Sequence, residues 1–122
     1  DQVNDVMWSP DTSTVFASVS DDGRLEIWDL YTNYLNPEVT HFDKDADGND
    51  DHTPKTVVRF TPNFSKMSPV VMTGNSKGEV DVYRTRGFEH KQVSNEDQHN
   101  RILSVLKKDD FTADKTDKEA EV

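Results

Sequence analysis

Ser18-Val19-Ser20-Asp21-Asp22-Gly23-Arg24-Leu25-Glu26-Ile27-Trp28-Asp29 is the stretch that decides the fold. Asp-Gly is among the strongest short hairpin signals, because both residues tolerate the positive φ of a tight turn. A strand rich in β-branched and aromatic residues, Thr14-Val15-Phe16-Ala17-Ser18-Val19-Ser20, precedes it, and Leu25, Ile27 and Leu30 follow it. Upstream, Val3, Val6 and Trp8 stand before Ser9-Pro10-Asp11, a turn signal. A further short strand is predicted at Glu38-Val39-Thr40-His41-Phe42.

The pattern then returns. Val57-Val58-Arg59-Phe60-Thr61-Pro62 repeats Asp5-Val6-Met7-Trp8-Ser9-Pro10, with Trp8 and Phe60 separated by 52 positions. Pro69 to Gly78 repeats the second strand and its turn, and Glu79-Val80-Asp81-Val82-Tyr83 repeats the third. Gly23 and Gly78, like Trp28 and Tyr83, are 55 apart, so three extra residues fall in the loop 63–68. A repeat of about 50 residues carrying three or four short strands signals a β-propeller blade.

The predicted fold is therefore all-β: a partial propeller of about two blades, then a short C-terminal helix and a tail. Residues 1–42 form the first blade, 43–54 an acidic inter-blade loop, and 55–93 a second, degenerate blade. Within the latter, Phe88 to Val93 is the expected outer strand. Residues 94–108 form a helix with Ser94 as N-cap, acids in the first turn and Lys107-Lys108 at its end. Residues 109–122 are expected to be a disordered charged tail.

Composition narrows the function. Of 122 residues, 14 are Lys or Arg and 24 Asp or Glu, a net charge of −10. Residues 1–30 alone carry one base and seven acids, so the acidity is not a tail effect. Such a surface is no general nucleic-acid binder, which needs clustered bases. No apolar run approaches the ~20 residues of a membrane span. Without cysteine there is no disulfide, thiol catalysis or Cys-based zinc site. Only 32% of residues are hydrophobic, against the usual ~45–50%. The chain opens on Asp1, part-way into a repeat, and is expected to share a larger core with further blades rather than to be a stable isolated monomer.

Few residues form a chemical site. Asp43-x-Asp45-x-Asp47-Gly48 matches the first half of a calcium loop, but loop position 12 is Pro54 where a bidentate Glu is needed. Asp43, Asp45 and Asp47 are thus at most a weak calcium module. The four His residues show no metal spacing, and the five Gly residues make no phosphate loop. Ser18, Asp22 and His52 could be written as a catalytic set, but they belong to different repeats. No catalytic residue and no cofactor is assigned. Trp8 and Trp28 sit at strand positions and are expected in the core, although Trp is also enriched at interfaces. Ile102, Leu103 and Leu106, with Val105, make a short apolar stripe facing either the blades or a partner.

The stretch Ser18 to Asp29 resembles the end of a WD repeat, including its Trp28-Asp29 pair. That resemblance implies a buried network of Ser18, Asp22 and Trp28 with a His that would precede Asp1. In the second repeat His52 and Thr73 take the matching places beside Phe60 and Gly78. Lys77 replaces the Asp and Tyr83 the Trp, so that network departs from the pattern. Trp8 to Val19, with Phe60-Thr61-Pro62 and Val70 to Val80, further resembles dynein intermediate chains, the axonemal outer-arm type more than the cytoplasmic. This implies a non-catalytic scaffold subunit of a microtubule motor in the cytoskeleton of cilia and flagella, with its propeller on the tail of a dynein heavy chain. Its partners would be that heavy chain, other intermediate and light chains, and the remainder of the propeller. The alternatives are a cytoplasmic dynein intermediate chain or another WD-repeat scaffold.

Overall fold

The computed structural model describes residues 1–61, 69–85 and 94–120, with side chains up to residue 107. Among the described residues seven strands and one helix follow in order: β1 (Val3–Trp8), β2 (Val15–Ser20), β3 (Leu25–Asp29), β4 (Val39–His41), β5 (Lys55–Phe60), β6 (Val70–Asn75), β7 (Val80–Arg84) and α1 (Asn95–Ala120). They make two antiparallel sheets, β1-β2-β3-β4 and β5-β6-β7, consistent with two blades of a partial propeller. The outer strand expected at Phe88–Val93 lies outside the described residues.

Period-two alternation sets which face each strand buries. On the first sheet Val15, Ala17, Val19, Leu25 and Ile27 point one way and are buried. Val58, Phe60 and Val71 of the second sheet meet them, with Met7 and Tyr83 packed alongside. The core is thus the seam between the sheets. The repeat also holds at the level of register: Val6 pairs with Ser18 as Val58 pairs with Thr73, and Phe16 pairs with Trp28 as Val71 pairs with Tyr83.

The neighbouring strands β1 and β5 are tied through side chains. Asp5 Oδ2 accepts from the Val58 amide at 3.0 Å and from Arg59 at 2.6 Å. Asn4 donates to the Lys55 carbonyl at 2.9 Å.

The opposite face of the first sheet carries Trp8, Phe16 and Trp28 as a continuous aromatic ladder. Phe16 stacks on Trp28 at 5.7 Å, and Trp8 meets Phe16 edge-on at 5.3 Å. Trp8 is 55% and Val6 57% exposed. The expectation of a core Trp8 is therefore corrected. Alternation puts it on the face away from the second sheet, where Phe16 and Trp28 are half-buried.

α1 begins as expected, with the Asp97 amide donating to Ser94 Oγ at 3.1 Å. It ends later, at Ala120 rather than 108, so a helical backbone replaces most of the tail expected at 109–122. The stretch holds neither Gly nor Pro to stop a helix, and each added residue contributes one more backbone bond. The helix docks on the first blade through Gln98. Its Oε1 accepts from the Ser13 amide at 2.9 Å, its Nε2 donates to the Asp11 carbonyl at 2.9 Å, and its carbonyl accepts from Ser13 Oγ at 2.8 Å. Arg101 lies over the Tyr31 ring at 5.1 Å. Ile102, Leu103 and Val105 are half-buried, while Leu106 is exposed. Gln98→Ala removes two of the three bonds and is expected to loosen the helix by about 1–3 kcal/mol. Amide exchange should accelerate at Ser13 and along α1 while β2 and β6 keep their protection.

Candidate functional site

Of the residues that the repeat singles out, Ser18, Asp22 and Gly23 lie toward the β2–β3 turn and Thr73 and Gly78 toward the β6–β7 turn, whereas Trp8, Trp28, Asp29, Phe60 and Tyr83 lie toward the other ends of their strands. In the first blade Gly23 has φ +84° and closes the turn, with its amide donating to the Ser20 carbonyl at 3.2 Å. Asp22 accepts from the Ser20 hydroxyl and from Arg24 at 2.7 Å. Arg24 reaches Glu26 at 3.0 Å with its other nitrogen. Trp28 Nε1 donates to Ser18 Oγ at 3.4 Å. At the far end of β3, Asp29 accepts from the Thr14 hydroxyl at 2.8 Å and the Tyr31 amide at 3.0 Å. The Ser18–Trp28 half of the expected network is present, and Asp22 is held separately by its own turn.

In the second blade the expected network is replaced. His52 does not join Thr73. Its Nδ1 lies 3.1 Å from the Asp22 carbonyl, which can only accept, so this nitrogen carries the proton. The ring also packs edge-on against Phe42 at 5.4 Å. His52 thus ties the inter-blade loop back to the first blade's turn. The physical reason lies at position 77, where Lys offers no carboxylate to receive a His proton.

Asp43 takes over the centre. Its carboxylate accepts from Lys55 Nζ at 2.6 Å and from the Tyr83 hydroxyl at 2.6 and 2.8 Å, and His41 Nε2 lies 3.1 Å away. Lys55 is 2% exposed and also lies over the Tyr83 ring at 5.9 Å. Burial alone would raise the Asp43 carboxyl, but hydrogen bonds from Lys55 and Tyr83 and the Lys55 charge outweigh it, and its pKa falls. The Tyr83 phenol is pushed up by burial and by the neighbouring Asp43, so it stays a donor. Thr73 is buried beside this cluster.

The carboxylates of the acidic loop make their contacts within the chain. Asp43 is occupied by Lys55 and Tyr83. Asp45 accepts from the amides of its own loop, Asp47 and Asn49, at 2.9 Å each. Lys44 pairs with Asp50. Among the described residues no three carboxylates or imidazoles converge on a metal position. The written triad does not assemble either: His52 meets a backbone carbonyl of Asp22, and Ser18 is bonded to Trp28.

Asp5, Asp22 and Asp43 share one electrostatic pattern: burial raises each, and donors from Val58, Ser20 or Lys55 with their partner cations bring each below the ordinary carboxylate value. The folded state then binds fewer protons than the unfolded one. The stability they contribute is present above the unfolded carboxylate pKa of ~3.9 and is lost as pH falls through the folded values. The urea midpoint is expected to hold from neutral pH to about pH 5 and to drop steeply below 4.

No protein-family model matches the chain. Curated relatives do. It is 34% identical over 87 residues to human dynein axonemal intermediate chain 4, covering 70% of this chain and 9% of that protein. It is 37% identical over 78 residues to the ciliary dynein intermediate chain 2 of Heliocidaris crassispina, 64% of this chain and 10% of that one. Its homologues are axonemal dynein intermediate chains. The 78 kDa intermediate chain of the Chlamydomonas reinhardtii flagellar outer arm is 32% identical over 80 residues, 66% of this chain and 10% of that protein. The chain spans about a tenth of the length of these intermediate chains.

The sequence did not single out Asp43 as a tie between blades, nor Lys55 or Gln98. A buried Lys leaves one trace, its place at the first inward position of β5, where the first repeat has Val3.

Proposed function

We propose that this chain is part of a non-catalytic scaffold subunit of an axonemal outer-arm dynein, and that its blades help seat the subunit on a heavy-chain tail. The observation that carries the reading is the pair of packed blades within a stretch homologous to ciliary and flagellar outer-arm intermediate chains. Its place is accordingly the axoneme of cilia and flagella. In this reading residues 1–42 and 55–93 are blades, 43–54 joins them, and the chemistry is recognition. Trp8, Ser18, Asp22, Gly23, Trp28, Asp29, Phe60, Thr73, Gly78 and Tyr83 hold the blades rather than act on a substrate. The heavy chain, other intermediate and light chains and further blades are the partners.

Affinity capture of the tagged protein from axonemes tests this. A dynein heavy chain should be recovered with it in near-equal amount. Recovery of the tagged protein without any heavy chain contradicts the proposal.

A further inference from the structure

Asp-Gly occurs twice in the chain, at Asp22-Gly23 and at Asp47-Gly48, in two matching turns with different surroundings. Gly23 has φ +84° and its amide donates to the Ser20 carbonyl at 3.2 Å; Gly48 has φ +83° and its amide donates to the Asp45 carbonyl at 3.0 Å. The Asp22 carboxylate is held by the Ser20 hydroxyl and by Arg24 at 2.7 Å. Gly23 is buried, and a Cβ there would meet the Asp51 and Thr53 carbonyls. Asp47 and Gly48 are both exposed, and a Cβ on Gly48 would meet nothing within 4 Å. Among the described residues no donor reaches the Asp47 carboxylate, whose amide alone is tied, to Asp45.

We infer that Asp47-Gly48 is a site of spontaneous isoaspartate formation in the folded protein, and that Asp22-Gly23 is protected from it. The chemistry needs only these residues and water. The Gly48 amide nitrogen attacks the side-chain carboxyl carbon of Asp47. A new N–C bond forms, the C–OH bond breaks, and the hydroxyl leaves as water with the amide proton, giving a five-membered succinimide. Glycine favours the step because it has no Cβ to obstruct the approach of its nitrogen. Water then opens the ring. Opening at the side-chain carbonyl restores Asp. Opening at the main-chain carbonyl routes the chain through the side-chain carbon, one carbon longer, and frees an α-carboxylate. Nothing is oxidised or reduced. Ring closure requires the carboxyl to leave its partners and the glycine amide to leave its turn. Asp47 has no such partner to leave, and Gly48 moves in open space. Asp22 must release Ser20 and Arg24, and Gly23 cannot rotate without shifting residues 51–53. The uncharged carboxyl is the form that loses water. At Asp22 burial favours that form, but Ser20 and Arg24 outweigh it and hold the pKa below the ordinary carboxylate value. Beneath the loop tip Lys44 pairs with Asp50, so the extra carbon is taken up within residues 45–49, away from Asp43 and its bonds to Lys55 and Tyr83. The freed α-carboxylate is the group that isoaspartyl methyltransferases esterify, which makes the aged protein a substrate for that class of repair enzyme.

Ageing the full-length protein at neutral pH and physiological temperature, once folded and once in denaturant, tests this. Isoaspartate is labelled with a purified isoaspartyl methyltransferase and a labelled methyl donor, and located by mass spectrometry of the tryptic peptides. In the folded protein Asp47 should convert at least about tenfold faster than Asp22, the factor for freeing one hydrogen bond to a charged group. In denaturant the two rates should come together. Asp47→Glu, whose longer side chain would have to close a six-membered ring, should remove most of the label from peptide 45–55 of the folded protein. The inference is overturned if Asp47 converts no faster than Asp22 in the folded protein. A ratio that persists unchanged in denaturant also overturns it, because flanking sequence rather than the fold would then set the difference. So does label in peptide 45–55 that Asp47→Glu leaves undiminished. None of these outcomes bears on the dynein proposal, which is read from heavy-chain recovery.

Discussion

Asp43→Asn is expected to destabilise the folded chain by about 3–5 kcal/mol, the cost of leaving a buried charge without its partner. Lys55 is 2% exposed, and Asp43 is the only carboxylate bridged to it among the described residues. Asn keeps the size and can still accept from Tyr83, so the loss isolates the charge. Denaturant midpoints at one fixed protein concentration measure it. Lys55→Met in the Asp43→Asn background should restore much of the loss, because an apolar chain needs no counter-charge there. An Asp43→Asn variant within about 0.5 kcal/mol of the parent, the range of an inert surface change, would contradict the role given to Asp43. The variant should also weaken the acid transition, since one of the lowered carboxyls is gone.

Gly23→Ala should be nearly as damaging, and Gly78→Ala much less so. Both residues have positive φ, +84° and +82°, a region that costs an Ala roughly 1–2 kcal/mol. A Cβ on Gly78 meets nothing within 4 Å. A Cβ on Gly23 would stand 2.6 Å from the Asp51 carbonyl oxygen and 3.0 Å from that of Thr53. Backbone cannot swing aside as a side chain can, so the inter-blade loop must move and overpacking adds about 1–3 kcal/mol. The expected total at Gly23 is about 2–5 kcal/mol. The difference between the variants measures how tightly the loop 51–53 lies on the first blade's turn. Equal midpoints for the two would mean that it does not.

The first blade was readable in advance because each of its signals is local. Asp22-Gly23 demands a hairpin, and the alternation on either side gives both strands. The second blade followed because Phe60, Thr73, Gly78 and Tyr83 repeat those positions. The chemistry at its turn was not readable. By sequence Asp43 stands with Asp45 and Asp47 as half of a calcium loop within a solvated acidic stretch, and nothing local reveals that the chain leaving β4 brings it against Lys55 and Tyr83. His52 was placed by spacing alone, yet a His goes where its proton finds an acceptor, and Lys77 supplies none. Trp8 is apolar at a strand position, which predicts burial only when both faces of a sheet are covered. Beyond 108 the charge-rich composition predicts disorder, yet the stretch contains no Gly or Pro to break a helix and the backbone stays helical to Ala120.

The aromatic ladder of the first blade, with Trp8 exposed and Phe16 and Trp28 half-buried, is expected to be covered by a neighbouring blade in the assembled protein. Hydroxyl-radical footprinting of the intact axonemal dynein particle, read by mass spectrometry at Trp8 and Trp28, tests that most directly. Trp8 is expected to be as protected as Phe60, its equivalent in the covered seam. A Trp8 that is oxidised in the particle as fast as an exposed tryptophan would contradict it.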